Sequence, residues 1–212
     1  NDQIFTRSTT KVVPITNNII QPMAALEVVY TKLQPNNEIW YTSTDGNIVT
    51  PYAADVFGAN IVSNTYENGQ GIIKFDAPIT SIGEYAFNKC NRLSSVTIGD
   101  SVTSIGKDAF RECSSLTSVT ISDSVSSIGR AAFDVCSSLT SVYCKSTTPP
   151  AGGQYMFDQS ASGRKIYVPY NSVDTYKQAE YWSRYASDIV GYDFEIGEVV
   201  EIKPNNEIWY TS

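Results

Sequence analysis

Apolar residues recur every 23 positions through the middle of this 212-residue chain, and this period limits the possible folds more than any other feature. Five columns share the register: Ile82, Ile105 and Ile128; Phe87, Phe110 and Phe133; Cys90, Cys113 and Cys136; Leu93, Leu116 and Leu139; Val96, Val119 and Val142. A fixed period of roughly 20 to 50 residues indicates a solenoid, in which each repeat buries its apolar side chains against its neighbours. We therefore expect the columns to point inward and to stack along a coil.

The register continues in weaker form on both sides of the central repeats. The segment "GIIKF" at 71–75 falls one repeat before "SVTI" at 95–98, and "KIYVP" at 165–169 falls 24 residues after "SVYCK". Terminal repeats diverge because they face water or a cap rather than another repeat. The sequence thus predicts five coils of 23 to 24 residues, the outer two degenerate.

Each repeat combines two local patterns. The segment "LTSVTI" alternates apolar and polar residues, which predicts a strand with one buried face. The segment "KDAFREC" at 107–113 places Ala109, Phe110 and Cys113 at helical spacing, which predicts a short helix. Between them, the glycine of "SIG" is expected to provide the corner, because glycine turns without steric cost.

The unit "SVTSIGKDAFRECSSLTSVTI" at 101–121 resembles the BspA-like class of leucine-rich repeats, and the likeness covers residues 71 to 168. The stretch after the last clear repeat, from "YCKSTTPPAGGQYMF" to "YDF", also resembles the closing unit of such arrays. The resemblance implies an α/β solenoid with a right-handed leucine-rich repeat superhelix and a parallel sheet. It also implies a bacterial cell-surface or secreted protein, from a host-associated anaerobe, that acts in adhesion or protein binding.

Segments on either side of the repeats are expected to cover the ends of the solenoid. The segment "ANIVSNTYENGQGIIKFD" at 59–76 predicts two strands around a turn at "ENGQG". Residues 171–190 predict a helix that Asn171 or Ser172 caps and that presents an apolar face. The members of this face are Val173, Tyr176, Ala179 and Trp182.

A second, longer repeat suggests that the chain is a slice of a tandem array. The words "PNNEIWYTS" occupy 35–43 and return at 204–212, 169 positions later. We therefore expect residues 1–34 to end or link a preceding module and 195–212 to link to the next. Between them we expect a β-rich N-terminal cap at 35–70, the solenoid at 71–168 and a helical C-terminal cap at 169–194. Alternatively, the two copies pair with each other in one capping sheet.

Composition excludes several classes of function. The chain contains no histidine, so it cannot assemble a serine or cysteine nucleophile with a histidine base, nor an imidazole metal site. Its formal charge of -7 opposes binding to nucleic acid or anionic lipid. No apolar run approaches the roughly 20 residues that span a bilayer. The start "NDQIFTRSTTKVV" carries no signal-peptide pattern. We predict a non-enzymatic protein without cofactor, nucleic-acid partner or membrane insertion in this chain.

Two stacked columns of reactive side chains invite a chemical interpretation. Cys90, Cys113 and Cys136 share one column, but no Cys-x-x-Cys spacing exists, which favours buried, inert thiols, as does the strand position of Cys144. Asp100 and Asp123 are expected to accept hydrogen bonds within their turns, since no third acidic residue completes a cation site. The sequence thus predicts no metal site.

The outward positions of the parallel sheet are the predicted ligand-binding face. Its candidate residues are Lys74, Ser95, Thr97, Ser118, Thr120, Ser141, Tyr143, Lys145, Arg164, Lys165 and Tyr167. The central positions are hydroxyl residues, whereas Tyr, Lys and Arg gather at the C-terminal end, in the combination that binding hot spots favour. We predict a module that binds a protein or host-matrix ligand through this end. A structural spacer in a tandem surface array and a weak glycan-binding module are the alternatives.

Overall fold

The computed structural model describes residues 5–7, 30–32, 34–195, 198–202 and 208–211. The chain divides into two compact units, 1–35 and 36–212. In the first, β1 (Phe5–Arg7) and β2 (Tyr30–Lys32) pair antiparallel. The other expectations for residues 1–34, and the linker predicted at 195–212 apart from its strands, lie outside the described residues.

The second unit consists mainly of two sheets to which successive repeats each contribute a strand. The larger sheet contains β3 (Glu38–Ser43), β4 (Ile61–Glu67), β5 (Gln70–Phe75), β7 (Leu93–Ile98), β9 (Ser118–Ile121), β11 (Ser141–Cys144), β13 (Lys165–Pro169), β14 (Ile189–Asp193), β15 (Glu198–Ile202) and β16 (Ile208–Thr211). The smaller contains β6 (Ser81–Ile82), β8 (Ser104–Ile105), β10 (Ser127–Ile128) and β12 (Ala151–Gly152). Strands β7 to β14 of the larger sheet are parallel neighbours, as are all four of the smaller. The predicted stacking of repeats around a parallel sheet is confirmed.

The core lies between the two sheets and is built from the predicted columns. The rings of Phe87, Phe110 and Phe133 stack with centroids 5.1 and 5.0 Å apart and interplanar angles of 7° and 4°. Phe157 extends the stack at 5.4 Å, after the 24-residue repeat. All four rings are fully buried. The prediction that the phenylalanine column points inward and stacks is confirmed.

The short helices predicted in each repeat are wrong, because "KDAFREC" forms successive turns instead. Asp108 and Glu112 have left-handed φ values of +53° and +61°, which a helix excludes. The backbone N–H of Phe110 donates to the carbonyl of Ala132 in the next repeat at 2.7 Å. Stacking satisfies these backbone groups between coils, so that the helical spacing of the side chains does not require a helix.

The glycine of "SIG" also has a different reason from the predicted corner. Gly106 and Gly129 lie outside the left-handed region. A Cβ on Gly129 would lie 2.5 Å from the backbone N of Lys107 and 2.6 Å from the carbonyl carbon of Gly106. Glycine is therefore required here because adjacent coils approach each other too closely for a side chain.

The prediction that 71–75 forms the rung next to β7 is wrong. Strand β3 lies between β5 and β7 and pairs antiparallel with both. Tyr41 of β3 stands opposite Val96, where Ile73 was expected, and its ring fills the space above Gly71, whose Cβ would meet it at 2.1 Å. The first copy of "EIWYTS" thus ends the parallel ladder on one side.

Other elements cover both ends of the ladder. Strands β4 and β5 form the predicted hairpin, with its turn at Asn68 and Gly69, whose φ values are +51° and +81°. At the other end lies α1 (Val173–Gln178), shorter than predicted, with Ser172 at its N-cap but no capping side-chain bond. Tyr176 is fully buried. Within the described part of the chain, no helix is long and apolar enough to cross a membrane.

The two copies of "EIWYTS" do not pair with each other. The described part of the second copy, β16, pairs antiparallel with β15, which in turn pairs with β14 at the far end of the same sheet. The two copies therefore lie on opposite sides of the parallel ladder, and each follows an antiparallel pairing.

Candidate binding face

The outward face of the larger sheet is an array of aligned rows. Val96, Val119 and Val142 are buried, so the residues on either side of each point outward. One row runs Ser95, Ser118, Ser141, Lys165, and its neighbour runs Thr97, Thr120, Tyr143, Tyr167, as predicted. These side chains are half-buried apart from the exposed Lys165. The middle of the face is therefore a neutral hydroxyl surface.

Aromatic rings gather at the C-terminal end of this face. Tyr143 and Tyr167 stack with centroids 4.7 Å apart and an interplanar angle of 14°. Tyr192 of β14 contacts both rings edge-on, at 5.5 and 5.3 Å, and Phe194 contacts Tyr192 at 4.9 Å. Burial, with the proximity of Tyr143, raises the pKa of Tyr167 and of Tyr192 above the usual tyrosine value. These two hydroxyls are therefore neutral hydrogen-bond donors at physiological pH.

Two lysines stand on either side of the stacked rings. Lys165 precedes Tyr167 by two residues, and Lys145 follows Tyr143 by two. The backbone N–H of Lys145 donates to the carbonyl of Ile121 at 3.0 Å, so the parallel ladder still holds this residue in place. Both lysines are exposed. We call Tyr143, Lys145, Lys165, Tyr167 and Tyr192 the tyrosine patch.

Arg164 was predicted on the binding face but is a buried structural residue. Its side chain is 8% exposed, and Nη2 donates to Asp188 Oδ2 at 2.6 Å while Nη1 donates to the carbonyl of Phe157. The guanidinium also lies 5.1 Å from the ring centroid of Tyr185. The C-terminal elements cover Arg164, so it cannot contact a ligand as predicted.

Lys74 lies apart from the rows that it was predicted to extend. It is exposed on β5 and stands opposite Glu38 of β3. The residue beside Thr97 is instead Trp40, whose Nε1 donates to Glu38 Oε2 at 2.8 Å. Sequence reasoning missed Trp40 and Tyr192, because both belong to strands outside the 23-residue period.

The cysteines form the predicted column as free thiols. The Sγ atoms of Cys113 and Cys136 donate to the carbonyls of Phe87 and Phe110, each at 3.0 Å. Burial raises the pKa of Cys136 and of Cys144 to about 12, and that of the half-buried Cys90 to about 11. At neutral pH these three groups are protonated, so they are poor nucleophiles and poor metal ligands.

The acidic turns do not form a cation site with their neighbours. Asp100 and Asp123 are exposed, and neither carboxylate accepts a hydrogen bond from the described residues. The predicted hydrogen bonds within their turns are therefore absent from that part of the chain. Across the same residues, no group of three or more Cys, Asp or Glu side chains is placed to hold a metal ion.

Comparison with known families identifies the repeat. Residues 59–184 match the model of the BspA type leucine rich repeat region in six copies. This match covers more than half of the chain. No curated protein matches it.

Solved structures with similar sequences are bacterial leucine-rich repeat proteins. A leucine-rich repeat protein from Bacteroides capillosus is 31% identical, over 64% of this chain and 96% of that one, with a TM-score of 0.39. One from Bacteroides ovatus is 26% identical, over 53% of this chain, with a TM-score of 0.36; this chain spans only 30% of its length. A leucine rich cell surface protein from Faecalibacterium prausnitzii is 20% identical, over 70% of this chain and 52% of that one, with a TM-score of 0.29.

Proposed function

Because this chain belongs to the BspA-type leucine-rich repeat family, we propose that it is a non-catalytic module whose tyrosine patch binds a protein ligand. Leucine-rich repeat domains generally act as protein-interaction modules. Following the family resemblance, the proposal places the parent protein at a bacterial cell surface or outside the cell, where its ligand is a host or matrix protein.

One observation carries the location of the site, namely the packing of Tyr143, Tyr167 and Tyr192 into a single cluster on an outward face. Aromatic rings bury a large area with little loss of conformational freedom, and interface hot spots are enriched in them. Mutual stacking holds these rings before a ligand arrives, which lowers the entropic cost of binding. The hydroxyl rows beside them offer no comparable anchor.

The proposed module is a right-handed solenoid of five coils with a cap at each end. The β4–β5 hairpin and β3 support a β-rich N-terminal cap at 35–70, and α1 with its neighbours supports a helical cap at 169–194. The duplicated "PNNEIWYTS" supports a tandem arrangement in which 1–34 and 195–212 belong to linkers or neighbouring modules. A solenoid of this kind presents a rigid, extended surface.

The test is a binding assay with the whole chain and a panel of purified extracellular-matrix proteins, each used before and after enzymatic removal of its glycans. We expect at least one protein to bind, and the Tyr143→Ala/Tyr167→Ala variant to lose about tenfold or more in affinity. A matched variant, Tyr52→Ala/Tyr155→Ala, removes two tyrosines that are exposed away from this sheet and keeps wild-type affinity.

The outcomes separate the candidate functions. Binding that survives glycan removal and depends on the tyrosine patch supports the proposal. Binding that disappears with the glycans supports the glycan-binding alternative. Binding that the Tyr143→Ala/Tyr167→Ala variant retains, with circular dichroism unchanged, contradicts the proposed site. A chain that binds no member of the panel favours the spacer alternative.

A further inference from the structure

We infer that the tyrosine patch binds an extended acidic peptide segment, with two carboxylate side chains four residues apart and an apolar residue midway between them. This inference rests on the proposed function and specifies the part of the protein ligand that the patch contacts. Three features carry it: the positions of two lysines, the absence of ion pairs at those lysines, and the packing of the rings between them.

The spacing of the lysines defines the spacing of the carboxylates. Tyr143 and Tyr167 are directly opposite each other, with Lys165 two residues before one and Lys145 two residues after the other. A strand rises about 3.3 Å per residue and neighbouring strands lie about 4.8 Å apart, so the Cα atoms of the two lysines are about 14 Å apart. In an extended peptide, residues i and i+4 share one face and lie about 13 Å apart. An acidic residue at each of these positions therefore meets one lysine.

The two lysines have no acidic partner within the described part of the chain. Several other described cations do, among them Arg92 with Asp45, Arg111 with Glu112, and Arg184 with Asp158. Lys145 lines a groove together with Asp123, but no salt bridge joins them. On a chain of net charge -7, the patch is therefore a local positive site. Complementary charge at a rim governs the encounter rate and the register of a ligand.

The rings between the lysines favour an apolar peptide side chain over a sugar. Stacking at 4.7 Å covers the facing sides of Tyr143 and Tyr167, and Tyr192 packs its ring against both. A cluster closed in this way offers ring edges and hydroxyl groups, which suit an aliphatic side chain and the backbone of an extended peptide. Long polyanions are disfavoured because the net charge of the chain repels them.

The test titrates the isotope-labelled whole chain with short synthetic peptides at low ionic strength, where exposed charges interact most strongly. The acidic probe is acetyl-Glu-Thr-Val-Thr-Glu-amide, the reversed probe is acetyl-Lys-Thr-Val-Thr-Lys-amide, and a uronic-acid oligosaccharide represents acidic glycans. The variant Lys145→Glu/Lys165→Glu reverses the patch. The matched variant Lys74→Glu/Arg130→Glu changes the net charge equally at two exposed residues away from the patch.

We expect the acidic probe to shift the amide signals of the tyrosine patch, and Lys145→Glu/Lys165→Glu to weaken it about tenfold or more. The same variant gains affinity for the reversed probe, which an unfolded protein could not do. The matched variant keeps the wild-type preference. The inference is overturned if the acidic and reversed probes bind wild type equally, if neither binds, or if only the oligosaccharide binds.

The panel assay distinguishes failure of this inference from failure of the proposed function. If a matrix protein still depends on Tyr143 and Tyr167 while the acidic probe does not bind, only the acidic-peptide specificity is wrong. If neither the matrix proteins nor the probe depend on the patch, both proposals are wrong.

Discussion

Replacement of Gly129 by alanine tests the claim that coils approach too closely for a side chain. The new Cβ would lie 2.5 Å from the backbone N of Lys107, roughly 0.9 Å inside ordinary van der Waals contact at 3.4 Å. The atoms that it meets are backbone, which cannot rotate away. The two coils must therefore separate locally, which lengthens the 2.7 Å hydrogen bond from the Gly129 N–H to the carbonyl of Ile105.

The expected magnitude follows from three opposing effects. Overpacking a tight site costs about 1 to 3 kcal/mol, and weakening one buried backbone hydrogen bond costs about 1 kcal/mol. Alanine restricts the unfolded chain and so contributes about 0.4 to 1 kcal/mol of stability where the backbone conformation permits it. Gly129 lies outside the left-handed region, so this last contribution applies in full. We expect a net loss of about 2 to 3 kcal/mol.

Urea and thermal unfolding of the whole chain, followed by circular dichroism, measure this loss. For a domain of this size we expect the Tm to fall by about 4 to 12 °C. Gly163→Ala is the comparison, because a Cβ there meets nothing within 4 Å but φ is +78°. It isolates the cost of the left-handed conformation, about 1 kcal/mol. If Gly129→Ala raises the Tm, or lowers it less than Gly163→Ala does, the close-approach argument is wrong.

Two further predictions concern buried polar groups. Because burial raises the pKa of Cys144 from 9.0 to about 12, the folded state keeps its proton longer than the unfolded state. The stability is complete below about pH 9 and is lost between pH 9 and 12, by up to about 1.4 kcal/mol per pH unit. Urea unfolding across this range shows a shallower decline for Cys144→Ala than for wild type if this is right. Arg164→Ala leaves Asp188 without its partner and lowers the free energy of unfolding by about 3 kcal/mol, measured by the same method. Affinity at the tyrosine patch that falls in a folded Arg164→Ala variant would restore its predicted ligand contact.

The sequence predicts the features that repeat, since an inward position at a fixed period has the same environment in each coil. It specifies the phenylalanine stack, the strands of the larger sheet and the column of thiols. It does not specify how backbone polar groups are paired, because the same side-chain spacing suits a helix or a turn. In the segment that contains Asp108 and Glu112, hydrogen bonds to the next coil replace those of a helix.

Features outside the period could not be predicted from it. Arg164 follows Thr140 by 24 residues, in a column where Thr117 and Thr140 are exposed, so its sequence position indicates an outward side chain. It is buried because Asp188 and Tyr185 from the C-terminal elements lie against it. The place of β3 is likewise invisible, because alternation predicts a strand but not its partner.

The same contrast between repeated and unrepeated positions explains where a binding site can lie. The outward Ser95, Ser118 and Ser141 are identical in successive coils, and equivalent surfaces one coil apart cannot hold a ligand in a single register. A unique surface arises only where the repeats diverge and a strand from outside the period joins the sheet. The tyrosine patch meets both conditions, because its aromatic and basic residues break the hydroxyl rows and Tyr192 comes from β14. Specificity in this protein must therefore come from the end of the array, while the repeated middle provides the rigid support.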